Sequence, residues 1–204
     1  MLTVAAPSEP LHRLAVACER SRVIEILGEV LDELWGPEFA VLSWSDPVSD
    51  ELSCIETLIC DPGFDSQLFQ DLTAWRSADE ALSWAREEVA KHERDVFSRG
   101  ALCLPNIHWD EENAAWWLVD VGSAGRANRC RDLSALAGSL NRNLGDGAYS
   151  ELIRVTWIPD DPQKRAVCEL LDHFWSTDKR LGLVGSPPLD YHRGLSAVIE
   201  VRSD

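Results

Sequence analysis

The chain has 204 residues, with 19 Lys+Arg against 35 Asp+Glu, a formal net charge of −16, and 45% hydrophobic residues. That length suits one compact domain with its own core, and the composition excludes a disordered tail protein or a fibrous one. The acid excess repels phosphate backbones and anionic lipid and attracts basic proteins, so general nucleic-acid binding and membrane binding are not expected.

Along the chain, Leu14, Val16, Val23, Ile24, Leu27, Val30, Leu31 and Leu34 recur at three-to-four spacing, which predicts a helix over about 11–35, stopped by Gly36-Pro37. A β-hairpin is expected next, from Phe39 to Trp44 and from Leu52 to Cys60, because β-branched and apolar residues are enriched there. Helical sequence follows over about 66–97, with a restart at Ser77-Ala78-Asp79-Glu80, which has the capping-box form. A second hairpin is read from Ala101 to His108 and from Ala114 to Val121, around the acidic turn Asp110-Glu111-Glu112-Asn113.

A helix with Leu133, Leu136, Ala137, Leu140 and Leu144 on one face comes next, with Asp132 as its expected cap and Gly145-Asp146-Gly147 at its end. Glu151 to Ile158 reads as a strand. Asp161-Pro162 then opens a helix carrying Val167, Leu170, Leu171, Phe174 and Trp175, and Leu195 to Val201 closes the chain as a strand. The expected fold is α+β: a mainly antiparallel sheet of two hairpins plus C-terminal strands, packed with four to five helices. One domain over 1–204 is the default, with a possible subdivision near 98–102. No run approaches eighteen apolar residues, and the start Met1-Leu2-Thr3-Val4-Ala5-Ala6-Pro7 lacks the basic flank of an export signal, which predicts a cytoplasmic protein.

The six cysteines (Cys18, Cys54, Cys60, Cys103, Cys130, Cys168) include no Cys-x-x-Cys pair, so they read as reduced thiols and no metal site is expected. No cofactor motif is present either. Gly122-Ser123-Ala124-Gly125-Arg126 and the following Arg129, Cys130 and Arg131 put glycines and arginines after a strand and at a helix start, an arrangement able to bind an anion. The loop matches neither a P-loop nor a dinucleotide fingerprint. Its simpler reading is a glycine-permitted turn whose arginines neutralise an acidic surface. Cys130 sits between Arg129 and Arg131 near that helix start, an environment that lowers a thiol pKa and favours the thiolate, making it a candidate reactive thiol.

Nine tryptophans are an excess for this length, and Trp116 and Trp117 are consecutive in an expected strand, so they point to opposite faces. Either the sheet is covered on both faces or one ring is exposed beside Asp110, Glu111 and Glu112, as in a binding hot spot with a charged rim. The acid excess is uneven: residues 1–102 hold 8 basic and 20 acidic side chains, and 103–204 hold 11 and 15.

On these grounds the leading expectation is a non-catalytic acidic protein that engages and inhibits a basic protein partner. Asp110, Glu111, Glu112, Trp116 and Trp117 would form the contact, with Asp32 and Glu33 behind them. In general character it resembles the immunity proteins of bacterial toxin systems, being small, acidic and without catalytic motifs. The alternative is an enzyme or sensor that binds a phosphate-bearing small molecule or nucleotide at residues 122–131, using Gly122, Gly125, Arg126, Arg129 and Arg131. A structural subunit of a larger complex is a further alternative.

Overall fold

The computed structural model describes residues 8–17, 20–37, 47–92, 96–121, 124–177 and 199–202. Their elements are β1 (Glu9–Pro10), α1 (Leu11–Ala17), α2 (Arg20–Leu34), α3 (Pro47–Ile59), α4 (Ser66–Leu72), α5 (Ala78–Val89), β2 (Val96–Ser98), β3 (Ile107–Asp110), β4 (Ala115–Leu118), β5 (Gly125–Ala127), α6 (Cys130–Leu144), α7 (Ala148–Thr156), α8 (Pro162–Ser176) and β6 (Ile199–Arg202). The α+β class stands, with more helix than expected and two small antiparallel sheets. One sheet has strand order β1-β3-β4-β6, and the other pairs β2 with β5. No helix among the described residues is long and apolar enough to cross a membrane.

Helix termini follow the local chemistry closely. Ser77 Oγ accepts from Glu80 N at 3.3 Å and starts α5. Asp161 Oδ1 accepts from Gln163 N at 3.1 Å and Lys164 N at 3.2 Å, with Pro162 in the first turn of α8. Gly145 ends α6 at φ +84°, a left-handed conformation that a side chain would strain.

Two expected strands are helices. Leu52, Ile55 and Leu58 are buried at three-residue spacing on α3, so the periodicity, rather than the β-branched Ile55, Thr57 and Ile59, decides that segment. The segment 151–158 lies mostly in α7, where Ala148 and Leu152 bury one turn apart. The expected strand at 39–44 falls outside the described residues, so of the two expected hairpins only β3–β4 is seen. Val96–Ser98 is strand, not the end of a helix, and 101–106 is a loop closed by a short 3-10 turn, Leu104–Asn106.

Two apolar clusters hold these layers. The larger joins α1, α2, β3, β4, the inner face of α6 and α7, through residues such as Leu27, Leu31, Trp116, Leu118, Leu136 and Leu152. The second joins α3, α4, α5 and α8 through Ile55, Phe69, Ala85, Leu171 and Phe174, with Phe69 stacked on Phe174 at 4.6 Å between ring centroids. Helix α6 carries Leu133 and Leu136 into the first cluster and, through Arg131, ties itself to α3 and α8. The loop between β2 and the 3-10 turn lies directly against α6.

Candidate functional site

A densely hydrogen-bonded polar region lies at the corner where the loop after β2 meets the end of β4. Its anchor is Asp132, fully buried in the first turn of α6. The carboxylate accepts from Gly100 N at 3.0 Å, Arg99 N at 3.3 Å and Trp35 Nε1 at 3.4 Å. Burial pushes its pKa up against these hydrogen bonds, which pull the other way. Asp132 was expected as a helix cap; instead, Arg129 occupies the cap position, and the Asp132 side chain turns inward to hold another segment's backbone.

The loop it holds carries an unusual cation. Arg99 is 2% exposed, and its guanidinium is wrapped by main chain. Nη1 donates to Ala101 O at 2.7 Å, and Nη2 donates to Val119 O at 3.0 Å and to Asp120 O. The same Nη2 lies 3.0 Å from Asp120 Oδ2, whose side chain is 61% exposed. Gly100 at φ +90° and Asp120 at φ +56° both sit in the left-handed region, which glycine adopts freely and aspartate does not. For Asp120, a non-glycine, that conformation costs on the order of 1–3 kcal/mol and is typical of functional corners. Asn106 closes the loop: its Nδ2 donates to Ala101 O at 3.3 Å, and its carbonyl accepts from Val119 N at 3.1 Å. The exposed edge therefore presents the Asp120 carboxylate and the half-buried Asn106 above a buried guanidinium.

The residues singled out from sequence are placed differently. Trp116 is fully buried and Trp117 is 6% exposed, so β4 is covered on both faces and offers no exposed ring. Trp116 Nε1 donates to Glu33 at 2.7 Å, which makes Glu33 an internal partner of the sheet. Asp32 is exposed on α2. Asp110 closes the β3–β4 turn by accepting from Glu112 N at 3.0 Å and Asn113 Nδ2 at 2.7 Å. Glu111 accepts from Trp109 Nε1 at 2.5 Å and Arg22 at 3.1 Å, and Glu112 is exposed. The acidic turn is real, but the tryptophans that were to anchor a partner lie in the core.

The arginine loop is also dispersed. Gly125 begins β5 and Arg126 is exposed on that strand, while Gly122 lies outside the described residues. The Arg129 guanidinium sits over the Trp35 ring at 5.4 Å. Arg131 turns inward, 2.9 Å from Glu51 and 3.1 Å from Asp172, with its side chain 11% exposed. With both guanidinium groups directed elsewhere, Cys130 is 2% exposed and burial pushes its thiol up, the reverse of the lowered pKa expected from its neighbours in sequence.

No protein-family model matches the chain. Over 57 residues it is 39% identical to an aminoglycoside 3'-phosphotransferase of Niallia circulans, a stretch covering 28% of this chain and 21% of that protein. Among solved structures, aminoglycoside phosphotransferase APH(3'')-Id from Streptomyces rimosus ATCC10970 superposes with a TM-score of 0.62 at 20% identity. That match covers 82% of this chain and 66% of the other. The fold is that of the aminoglycoside phosphotransferases. The same enzyme in complex with ADP and streptomycin gives 0.59, and an aminoglycoside 3'-phosphotransferase of type VIII gives 0.59 at 21% identity over 83% of this chain and 66% of that one. The chain thus spans about two thirds of the solved neighbours and about a fifth of the curated relative.

These findings overturn the expectation of a non-catalytic inhibitor with a basic protein partner. The neighbours are phosphotransferases, one of them solved with ADP and streptomycin, and the tryptophans of the expected docking surface are buried. The small-molecule alternative is favoured, although its arginines are dispersed.

Sequence reasoning missed Arg99, Asn106 and Asp120. One signal was available. Protein kinases place an aspartate base five residues before an asparagine, and that asparagine shares two magnesium ions with the aspartate of a later Asp-x-Gly. This chain has Asn106 and Asp120-Val121-Gly122, but Ala101 stands five residues before the asparagine. A divalent ion, which such transfer chemistry implies, fits poorly here. One oxygen of Asp120 is already paired with a buried guanidinium, and the Asn106 amide is tied to Ala101 O.

Proposed function

We propose that the protein binds a small polar ligand of the kind aminoglycoside phosphotransferases handle, a polycationic amino sugar, at the edge formed by Asn106 and Asp120. The observation that carries this reading is the fold, a TM-score of 0.62 over 82% of the chain. A 57-residue stretch 39% identical to an aminoglycoside 3'-phosphotransferase supports it. Charge supports it as well. A net −16 surface draws a polycation from a distance, and the half-exposed Asp120 carboxylate is an acceptor for ammonium groups. A nucleoside phosphate is the second ligand to test, because a solved neighbour holds ADP beside streptomycin.

The test is thermal unfolding of the full chain with streptomycin and with ADP, each over a concentration series. A ligand at a hundred times its dissociation constant adds about 2.7 kcal/mol of stability, a shift of several degrees for a chain of this size. A saturable shift with streptomycin, weakened in Asp120→Asn, is expected. No shift with either compound would remove the reading.

A further inference from the structure

We infer that this chain binds its ligand without a divalent cation and does not transfer a phosphoryl group to it, because Arg99 stands as a built-in cation beneath Asp120 and Ala101 stands where a base would be needed. The inference rests on the ligand-binding reading above and assigns Arg99 a role that neither the fold nor the neighbours supply.

Three observations meet at one place. First, the Arg99 guanidinium is fixed in the protein interior by the carbonyls of Ala101, Val119 and Asp120, and it touches Asp120 Oδ2 at 3.0 Å. A carboxylate that holds a divalent ion must offer its oxygens at about 2.0–2.1 Å, and Asp120 has one of its two already spent on Arg99; the remaining oxygen suffices for an ammonium group, which needs a single acceptor at about 2.7–2.9 Å. Arg99 is held in place: its backbone N–H is bonded to Asp132, and leaving would take the guanidinium donor from the carbonyls of Val119 and Asp120, while Ala101 O would keep Asn106 Nδ2.

Second, Asn106 spends its Nδ2 on Ala101 O, which fixes its amide within the loop. Third, the residue five before it, where phosphoryl transfer in kinases uses a carboxylate to take the hydroxyl proton, is Ala101, which has no group able to accept a proton. The loop thus keeps the backbone frame of a transfer site, anchored by Asp132, while the Arg99 guanidinium occupies one oxygen of Asp120 and leaves its own buried Nε without a hydrogen-bond partner. Such a site can hold a ligand, and it lacks the carboxylate that would take a hydroxyl proton.

The experiment begins with Mn2+ titrated into the full wild-type chain and followed by electron paramagnetic resonance, where bound ion loses its six-line signal. No bound Mn2+ up to millimolar concentration is expected. Stoichiometric binding that disappears in Asp120→Asn would overturn the inference. The streptomycin and ADP thermal shifts are then repeated with excess EDTA and with Mg2+, and unchanged midpoints are expected. A shift that vanishes in EDTA would overturn the inference while leaving the ligand-binding reading intact. A shift in neither condition would count against the ligand-binding reading alone, because the Mn2+ titration still decides the inference.

Incubation with ATP, streptomycin and Mg2+ should form no phosphorylated streptomycin, and its formation at more than one equivalent per chain would also overturn the proposal. Arg99→Met, where it still unfolds cooperatively, should gain Mn2+ affinity at least tenfold. A folded variant without that gain would overturn Arg99 as the substitute cation. Should it fail to fold, the wild-type titration decides alone.

Discussion

The Asp132 carboxylate holds the backbone of Gly100 from thirty-two residues away, through an N–H···O bond of 3.0 Å inside the protein. The bond ties the loop after β2 to the first turn of α6 and so sets the height of Arg99 and Asp120 at the exposed corner. Replacing Asp132 by Ala leaves the N–H of Arg99 and the indole N–H of Trp35 without their acceptor, while Gly100 N keeps Ser98 Oγ at 3.0 Å. Each buried donor left unpaired costs about 1–3 kcal/mol, so the substitution should destabilise by at least about 2 kcal/mol in urea unfolding. Asp132→Asn keeps one acceptor and should cost less than the alanine variant. A loss equal to that of an ordinary surface substitution would show that the loop is held by other means.

A second interior charge cluster gives a pH dependence with a defined sign. Arg131 links Glu51 at 2.9 Å and Asp172 at 3.1 Å, and Trp175 Nε1 donates to Glu51 at 3.0 Å. Burial raises the Glu51 pKa, and Arg131 only partly opposes this. A carboxyl with a raised folded pKa binds its proton more tightly when folded. Its contribution is therefore fully present below the unfolded pKa and is lost as pH rises through the folded one. Arg131→Met removes the opposing cation, so Glu51 should move further up. The variant should lose about 3–5 kcal/mol at pH 7, the cost of leaving a buried charge unpaired, and less at pH 5. Adding Glu51→Gln to Arg131→Met should restore part of that loss at pH 7 and flatten the pH profile. Chemical unfolding of the three variants at both pH values measures this.

Much of the fold was legible because short-range rules act where the chain is locally decided. Ser77, Asp161-Pro162 and Gly145 mark helix ends that the structure keeps, and the β3–β4 hairpin forms around its acidic turn. The failures came where composition and period disagreed. The β-branched residues at 55–59 suggested a strand, while Leu52, Ile55 and Leu58 have the three-residue spacing of a buried helix face. The site was less legible, since its parts come from separate segments. Asp132 reads as a helix cap until its burial is seen, and no pattern around Arg99 singles it out before its burial does. Likewise, Arg129 and Arg131 flank Cys130 in sequence, but one stacks on Trp35 and the other enters the Glu51 cluster.

The cysteines should separate by labelling rate in the folded protein. Cys60 is exposed, whereas Cys130 and Cys168 are buried, and burial pushes the Cys168 thiol up to about 12. At pH 8 such a group is thiolate only about one part in ten thousand, which suppresses its attack even before access is considered. Timed alkylation with peptide mass spectrometry should modify Cys60 within minutes and Cys130 and Cys168 only on denaturation. Rapid native labelling of Cys130 would return it to the list of reactive thiols.

Two tryptophans at opposite extremes of burial test the packing of the larger cluster. Trp116 is fully buried in β4 and donates its indole N–H to Glu33 of α2 at 2.7 Å, so it joins sheet and helix by both area and a hydrogen bond to a charged group. Trp157 ends α7 at φ +56° with 88% of its surface exposed. Trp116→Phe removes the donor and part of the ring while leaving an aromatic in place. The hydrogen bond to a carboxylate alone predicts a loss of about 1.5–3 kcal/mol, with more from the smaller ring. Trp157→Phe touches no packed surface and should stay within about 0.5 kcal/mol of the parent chain. Urea unfolding of both variants, followed by far-ultraviolet circular dichroism so that the fluorescence change is not the readout, measures the difference. Equal effects would mean that β4 and α2 are not joined through Glu33.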